Sequence, residues 1–226
     1  MQKYISGILF FVFILSFLNI ANAQRFKAGL SAGLTATDVN GADGRDYDND
    51  FNKLGFTLGG IVNSELNEKN TLQLEINYVQ KGTMQRPDSN NNGYFKIALD
   101  YIEVPLLFRH HTHFTLFKKP VDKFDWEIGA SFGRLVRLKE IQDNSPLGSV
   151  PDYNKTDVSI FAGFDYNITS NVYLCLRYSN SVIPVLNKSS LPPYLYRYTY
   201  NKGNNMVFQF AFKFVFGGDE ETEVKK

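Results

Sequence analysis

Apolar residues alternate with polar or small ones over long stretches of this chain, most clearly in Met206–Phe216, MVFQFAFKFVF. Its even positions are Met206, Phe208, Phe210, Phe212, Phe214 and Phe216, and its odd positions are Val207, Gln209, Ala211, Lys213 and Val215. A period of two marks a β-strand with one apolar and one mixed face. Five Phe on one face of one strand are more than the interior of a small barrel can take if the other strands match it. The large apolar row is therefore expected to face outward, toward lipid.

The same alternation predicts seven earlier strands: Arg25–Ala36, Lys53–Glu65, Thr71–Gly82, Phe95–His110, Lys123–Leu138, Thr156–Ile168 and Val172–Asn180. Eight strands, an even number, predict an all-β fold, an antiparallel up-and-down transmembrane β-barrel. Pro105 lies inside the fourth strand and cannot donate to a ladder, so a bulge or weakened pairing is expected there. Connections alternate between long (Thr37–Asn52, Met84–Gly93, Lys139–Lys155, Ser181–Asn204) and short (Asn67–Asn70, Thr169–Asn171), with Thr112–Asp122 the long exception. Short turns belong to the periplasmic side of such barrels and long loops to the outside.

Residues 1–23 carry Lys3, an apolar run Ile5–Leu18 and Ala21-Asn22-Ala23, the layout of a cleaved secretory signal. The barrel is then expected over 24–216, followed by a charged periplasmic tail over 217–226. An uncleaved anchor is the alternative for the first segment. A net charge of +1 argues against a nucleic-acid partner. The single cysteine, Cys175, cannot form an internal disulfide.

The faces opposite the apolar rows are rich in Gly, Ser and Thr, with scattered charges. Lys27, Lys81, Arg109, Arg137, Arg177 and Lys213 are expected inside, balanced by Glu75, Glu103, Asp125, Glu127, Asp157 and Asp165. A bulky charge in a narrow lumen needs a partner.

Two groups carry the residue types of a site. Asp46, Asp48 and Asp50 have the opening spacing of a calcium loop, but Phe51 stands where glycine is needed and Thr57 where the closing Glu belongs. A solvated acidic loop fits better. His110, His111 and His113 cluster at one strand end, in a spacing that matches no zinc motif. No Ser, His and Asp converge in the pattern, so no catalytic, cofactor-binding or metal residue is assigned and an enzyme is not expected.

The stretches KAGLSAGL (27–34), DYIEVPLLFRH (100–110), GASFGRL (129–135), RYSNSV (177–182) and VFQFAFKFVF (207–216) resemble the PorT-type outer-membrane β-barrel family of Bacteroidetes-like bacteria. The resemblance covers the whole mature chain. It implies an outer-membrane location, a lipid environment, and a structural or interaction role, as an accessory of protein export with secretion-system partners. Phe216 also resembles the terminal aromatic read by the barrel-assembly machinery, although ten residues follow it. A general porin is not expected from eight strands. Two alternatives stay open at this point: a secreted soluble barrel binding an apolar ligand, and a lipid-modifying barrel enzyme.

Overall fold

The computed structural model describes residues 26–39, 51–87, 93–116, 119–143, 145–146, 153–185 and 203–216. The expected signal segment over 1–23, the tail over 217–226 and most residues of the long connections, including Asp46, Asp48 and Asp50, lie outside the described residues.

The strands are β1 (Phe26–Val39), β2 (Lys53–Asn67), β3 (Asn70–Gln85), β4 (Phe95–Leu116), β5 (Lys119–Gln142), β6 (Ser145–Pro146), β7 (Thr156–Asn167), β8 (Val172–Ser181) and β9 (Asn205–Val215). β6 is a two-residue extension paired with Ile141 and Gln142 of β5. The other eight are barrel staves, each antiparallel to its neighbours. They run in the order β4-β3-β2-β1-β9-β8-β7-β5, and a β4–β5 ladder closes the circle. Closure removes the free edges that an open sheet would expose in lipid.

The predicted strands all form, and several run further than expected. β4 and β5 continue past His110 and before Lys123, pairing as far as Leu116 with Lys119. The expected long connection Thr112–Asp122 is therefore mostly ladder, as far as the pair Leu116–Lys119. Every connection at that end is now short, and it is called the turn end here. At the opposite, loop end β1 reaches Val39, so Asp38 belongs to a strand instead of the acidic loop. Pro105 acts as expected. The β3–β4 ladder pairs Leu74 with Leu106 and Asn77 with Glu103, but lapses between them without a change of register.

The apolar rows point outward. On β9, Phe208, Phe210, Phe212, Phe214 and Phe216 are exposed, while Val207, Gln209, Ala211, Lys213 and Val215 are buried in the lumen. Leu30, Leu58, Leu74, Leu106, Ile128, Phe164 and Leu176 extend this outer band around the other staves. Met206 departs from its row and is buried.

A bulge breaks the alternation in β5. Asp100 pairs with Arg137 and Tyr101 with Leu135, which leaves Val136 without an opposite number. An extra residue swaps the faces of everything beyond it. Leu135 and Leu138 are consequently both half-buried, and Glu140 points inward. Above the lumen these side chains meet Val39, Ile97, Leu99, Tyr101, Tyr153 and Val185, which form an apolar cap across the loop end. Backbone bonds tie the cap together: Asn154 N–H donates to Val185 O (2.8 Å) and Val185 N–H to Gly203 O (2.7 Å).

Candidate functional site

The chemistry of this chain is concentrated in its lumen. Alternation sends every second side chain of each stave inward, and a closed eight-stranded wall leaves room for little besides those side chains. Arg177 on β8 donates through Nη2 to Glu75 Oε1 (2.8 Å), through Nη1 to Glu75 Oε2 (3.1 Å) and through Nε to Glu127 Oε1 (2.5 Å). The planar fork of the guanidinium suits this two-pronged contact. Lys213 on β9 donates to Glu127 Oε2 (2.7 Å) and to Asp165 Oδ1 and Oδ2 (3.0 and 2.9 Å). Arg109 stands toward the turn end, 3.6 Å from Asp165 and 3.8 Å from Asp125, with its guanidinium 5.1 Å from the Tyr173 ring centre.

A second cluster lies nearer the loop end. Lys81 Nζ is 2.5 Å from Glu103 and 2.9 Å from Asp157, over the ring of Tyr101. Asp157 also accepts from Ser181 (2.6 Å), Ser159 (3.2 Å) and Asn205 (2.9 Å). At the cap, Tyr153 donates to Glu140. Burial, and then the neighbouring Glu140 carboxylate, push the Tyr153 phenol well above its ordinary range, so it stays a donor.

All six expected carboxylates lie inside with Lys81, Arg109, Arg177 and Lys213, while Lys27 faces inward only at the mouth and Arg137 not at all. Arg137 is outside, its side chain 65% exposed, because the Val136 bulge has turned it outward. Lys27 sits near the turn-end mouth and pairs with Glu65 at 2.8 Å. The expected one-to-one balance therefore fails, and neutral donors take the place of the missing cations. Gln73 and Asn77 donate to Glu75 (2.5 and 2.7 Å), as Ser159, Ser181 and Asn205 do to Asp157. A buried carboxylate needs its lone pairs satisfied, by charge or by hydrogen bond.

Sequence reasoning also missed Phe161. Its odd position on β7 places it inward, where small residues were expected, and the Arg177 guanidinium lies 4.4 Å from its ring centre. The ring crosses to Gly129 on β5, where an added Cβ would come within 2.7 Å of Phe161 Cζ. A missing side chain on one stave makes room for a large one on the next.

Among the described residues, Glu127, Asp165 and Cys175 bring potential metal-ligand atoms within 4.8 Å of one another. The Lys213 ammonium already bonds both carboxylates, in the place a cation would take. The histidines do not converge. His110 faces outward beside Trp126 and its Nδ1 bonds Asn70 Oδ1 (2.7 Å), whereas His111 bonds Asp125. Adjacent residues of a strand point to opposite faces, so these two cannot share an ion. The side chain of His113 lies outside the described residues.

A lumen of paired charges inside an apolar outer wall is the build of a membrane barrel, and comparison with known families agrees. The family described as Outer membrane protein beta-barrel domain matches residues 21–187. The chain belongs to this family. Its place is the cell outer membrane, with lipid against the Phe-rich wall. Among solved structures it is similar to Ail, the attachment invasion locus protein of Yersinia pestis, crystallised with the heparin analogue sucrose octasulfate. Identity is 13% over 85% of this chain and 99% of that one, with a TM-score of 0.47. It is also similar to Neisserial surface protein A, at 14% identity over 84% of this chain and 96% of that one, with a TM-score of 0.43. OprG from Pseudomonas aeruginosa shares 11% identity over 84% of this chain and 94% of that one, with a TM-score of 0.34. A comparison with curated proteins found no match.

Proposed function

We propose that this is a closed, non-enzymatic outer-membrane barrel that acts through its outer loops and rim, with its lumen serving as scaffold. The observation that carries the reading is the ion-pair network of Glu75, Glu127, Asp165, Arg177 and Lys213, which ties β3, β5, β7, β8 and β9 together through the middle of the barrel. A solute would have to break several buried, charge-assisted bonds to pass. Transport is therefore disfavoured, and the long connections at the loop end become the working surface.

In this reading the amino terminus and the tail over 217–226 are periplasmic, the signal over 1–23 is removed, and the loop end faces outside. The barrel-assembly machinery inserts the chain, reading the Phe216 region. The five sequence stretches that resemble the PorT-type family support a finer version, in which the loops or rim engage protein-export components. Planar-bilayer recording tests the first part: the purified barrel is expected to give no steady conductance, and a stable open channel would sink the closed-lumen reading. Crosslinking in the native membrane tests the second. Recovery of secretion components is expected, and recovery of the assembly machinery alone would remove the export role.

A further inference from the structure

Just beyond the apolar band of β5, the outward wall becomes basic. Arg134, Arg137, Lys139 and Lys155 are all exposed. The first three follow one another along β5, and their span is roughly 15 Å at the rise of an extended strand. Lys155, just before β7, adds a further exposed cation nearby, its carbonyl accepting from Leu135 N–H at 2.8 Å. Among the described residues, the carboxylate that meets the strip is Asp100, only 3% exposed. It accepts from Tyr78 (2.6 Å) and lies 3.7 Å from Arg137, holding that guanidinium in place while leaving it open to the surroundings. The outward positions near the loop end of β1, β8 and β9, namely Ala36, Asn180, Tyr178 and Phe208, carry no charge. The basic strip thus occupies one sector of the wall.

We propose that Arg134, Arg137 and Lys139 form a docking strip for the phosphates of an anionic membrane lipid. Direction decides the occupant. Arg134, Arg137 and Lys139 leave the same outer face as Ile102, Phe132 and Val136, which are exposed along the apolar band. A partner must therefore approach sideways, in the plane of the membrane, with acyl chains against the band and phosphates at the strip. Charge complementarity does the rest, since basic residues at a membrane surface attract anionic headgroups, and guanidinium groups match phosphate geometry. The Val136 bulge is what makes the strip. Without the extra residue, Arg137 would turn into the lumen. Assignment to the outer leaflet rests on the orientation proposed above, whereas binding itself does not.

The test uses the full-length barrel in phosphatidylcholine nanodiscs containing lipid A, with the bound lipid counted by native mass spectrometry. The unmodified protein is expected to carry lipid A and to discriminate against its dephosphorylated form. R134Q/R137Q/K139Q is expected to lose binding at least tenfold, and K69Q/K123Q at the turn end to leave it unchanged. Migration of the unheated protein on gels verifies that each variant has closed its barrel. Should the triple variant misfold, R137Q alone, with a several-fold loss expected, replaces it. Equal retention by the strip variants, or equal retention of dephosphorylated lipid, would overturn the proposal. So would stronger binding of a soluble sulfated polysaccharide than of lipid A, which would make the strip a site for a soluble polyanion. The nanodisc is symmetric, so this outcome is independent of which way the protein faces in the cell.

Discussion

Arg177 and Glu75 lie on diametrically opposite staves of the barrel, and hydrogen bonds of 2.8 and 3.1 Å join them across its width. Substituting Arg177 by Met would leave Glu75 and Glu127 without their shared cation. Breaking a buried pair from one side costs about 3–5 kcal/mol. Urea unfolding in lipid vesicles is expected to show that loss for R177M, and a smaller one for E75Q, whose amide can still meet Arg177 and Asn77. Equal midpoints for R177M and the unmodified protein would show that the network does not brace the wall.

Phe212 sits at the centre of the outward Phe row on β9, with Ala211 and Lys213 facing the lumen on either side. Placing Arg at Phe212 is expected to destabilise the folded barrel by about 2–4 kcal/mol, the cost of a cation at the bilayer midplane. Gln209→Glu, which adds a carboxylate opposite Arg177, should cost far less. The same vesicle assay compares them, and comparable losses would count against lipid contact at Phe212.

The Tyr153 hydroxyl donates to one oxygen of the inward-facing Glu140 at the cap. Tyr153→Phe removes that donor and should loosen the cap by about 1–3 kcal/mol without opening the barrel. Faster hydrogen exchange at Asn154 and Val185, with exchange in β9 unchanged, is the expected result. A global rise would mean that the cap and the wall unfold as one unit.

An epitope inserted at Ser189 is expected to be labelled on intact cells, and one appended after Lys226 only once the envelope is opened. Labelling of the carboxyl-terminal tag on intact cells would reverse the proposed orientation. It would move the lipid strip to the inner leaflet.

The staves were legible because alternation is a local property. Each strand announces its two faces without reference to any other strand, which is why the Phe row of β9 and the inward Arg177, Lys81 and Lys213 could be placed from the sequence. What escaped were features that depend on pairing. The Val136 bulge exists only relative to β4, and it alone sends Arg137 out and Glu140 in. The ladder past His110 was hidden because β4 and β5 stabilise each other beyond the point where either looks strand-like. Phe161 could have been read as inward from its odd position, but its fit needed Gly129 on the facing stave. The candidate site was half legible in the same sense: the charges could be named, whereas the neutral donors that complete Glu75 and Asp157 could not.

The lapse in the β3–β4 ladder falls at Glu75 and Pro105, the same height at which Glu75 reaches across to Arg177. The gap in backbone pairing thus sits level with the side-chain strut. The strut ties β3 to β8, however, and contributes nothing between β3 and β4. The gap is therefore bridged by the backbone pairs on either side of it, Leu74–Leu106 and Asn77–Glu103, in a seam that otherwise runs from Asn70–His110 to Gln85–Phe95. A proline that interrupts one stretch of a long ladder costs the wall little there, whereas the same break in the shorter β7–β8 or β8–β9 seam would remove a larger share of its bonds.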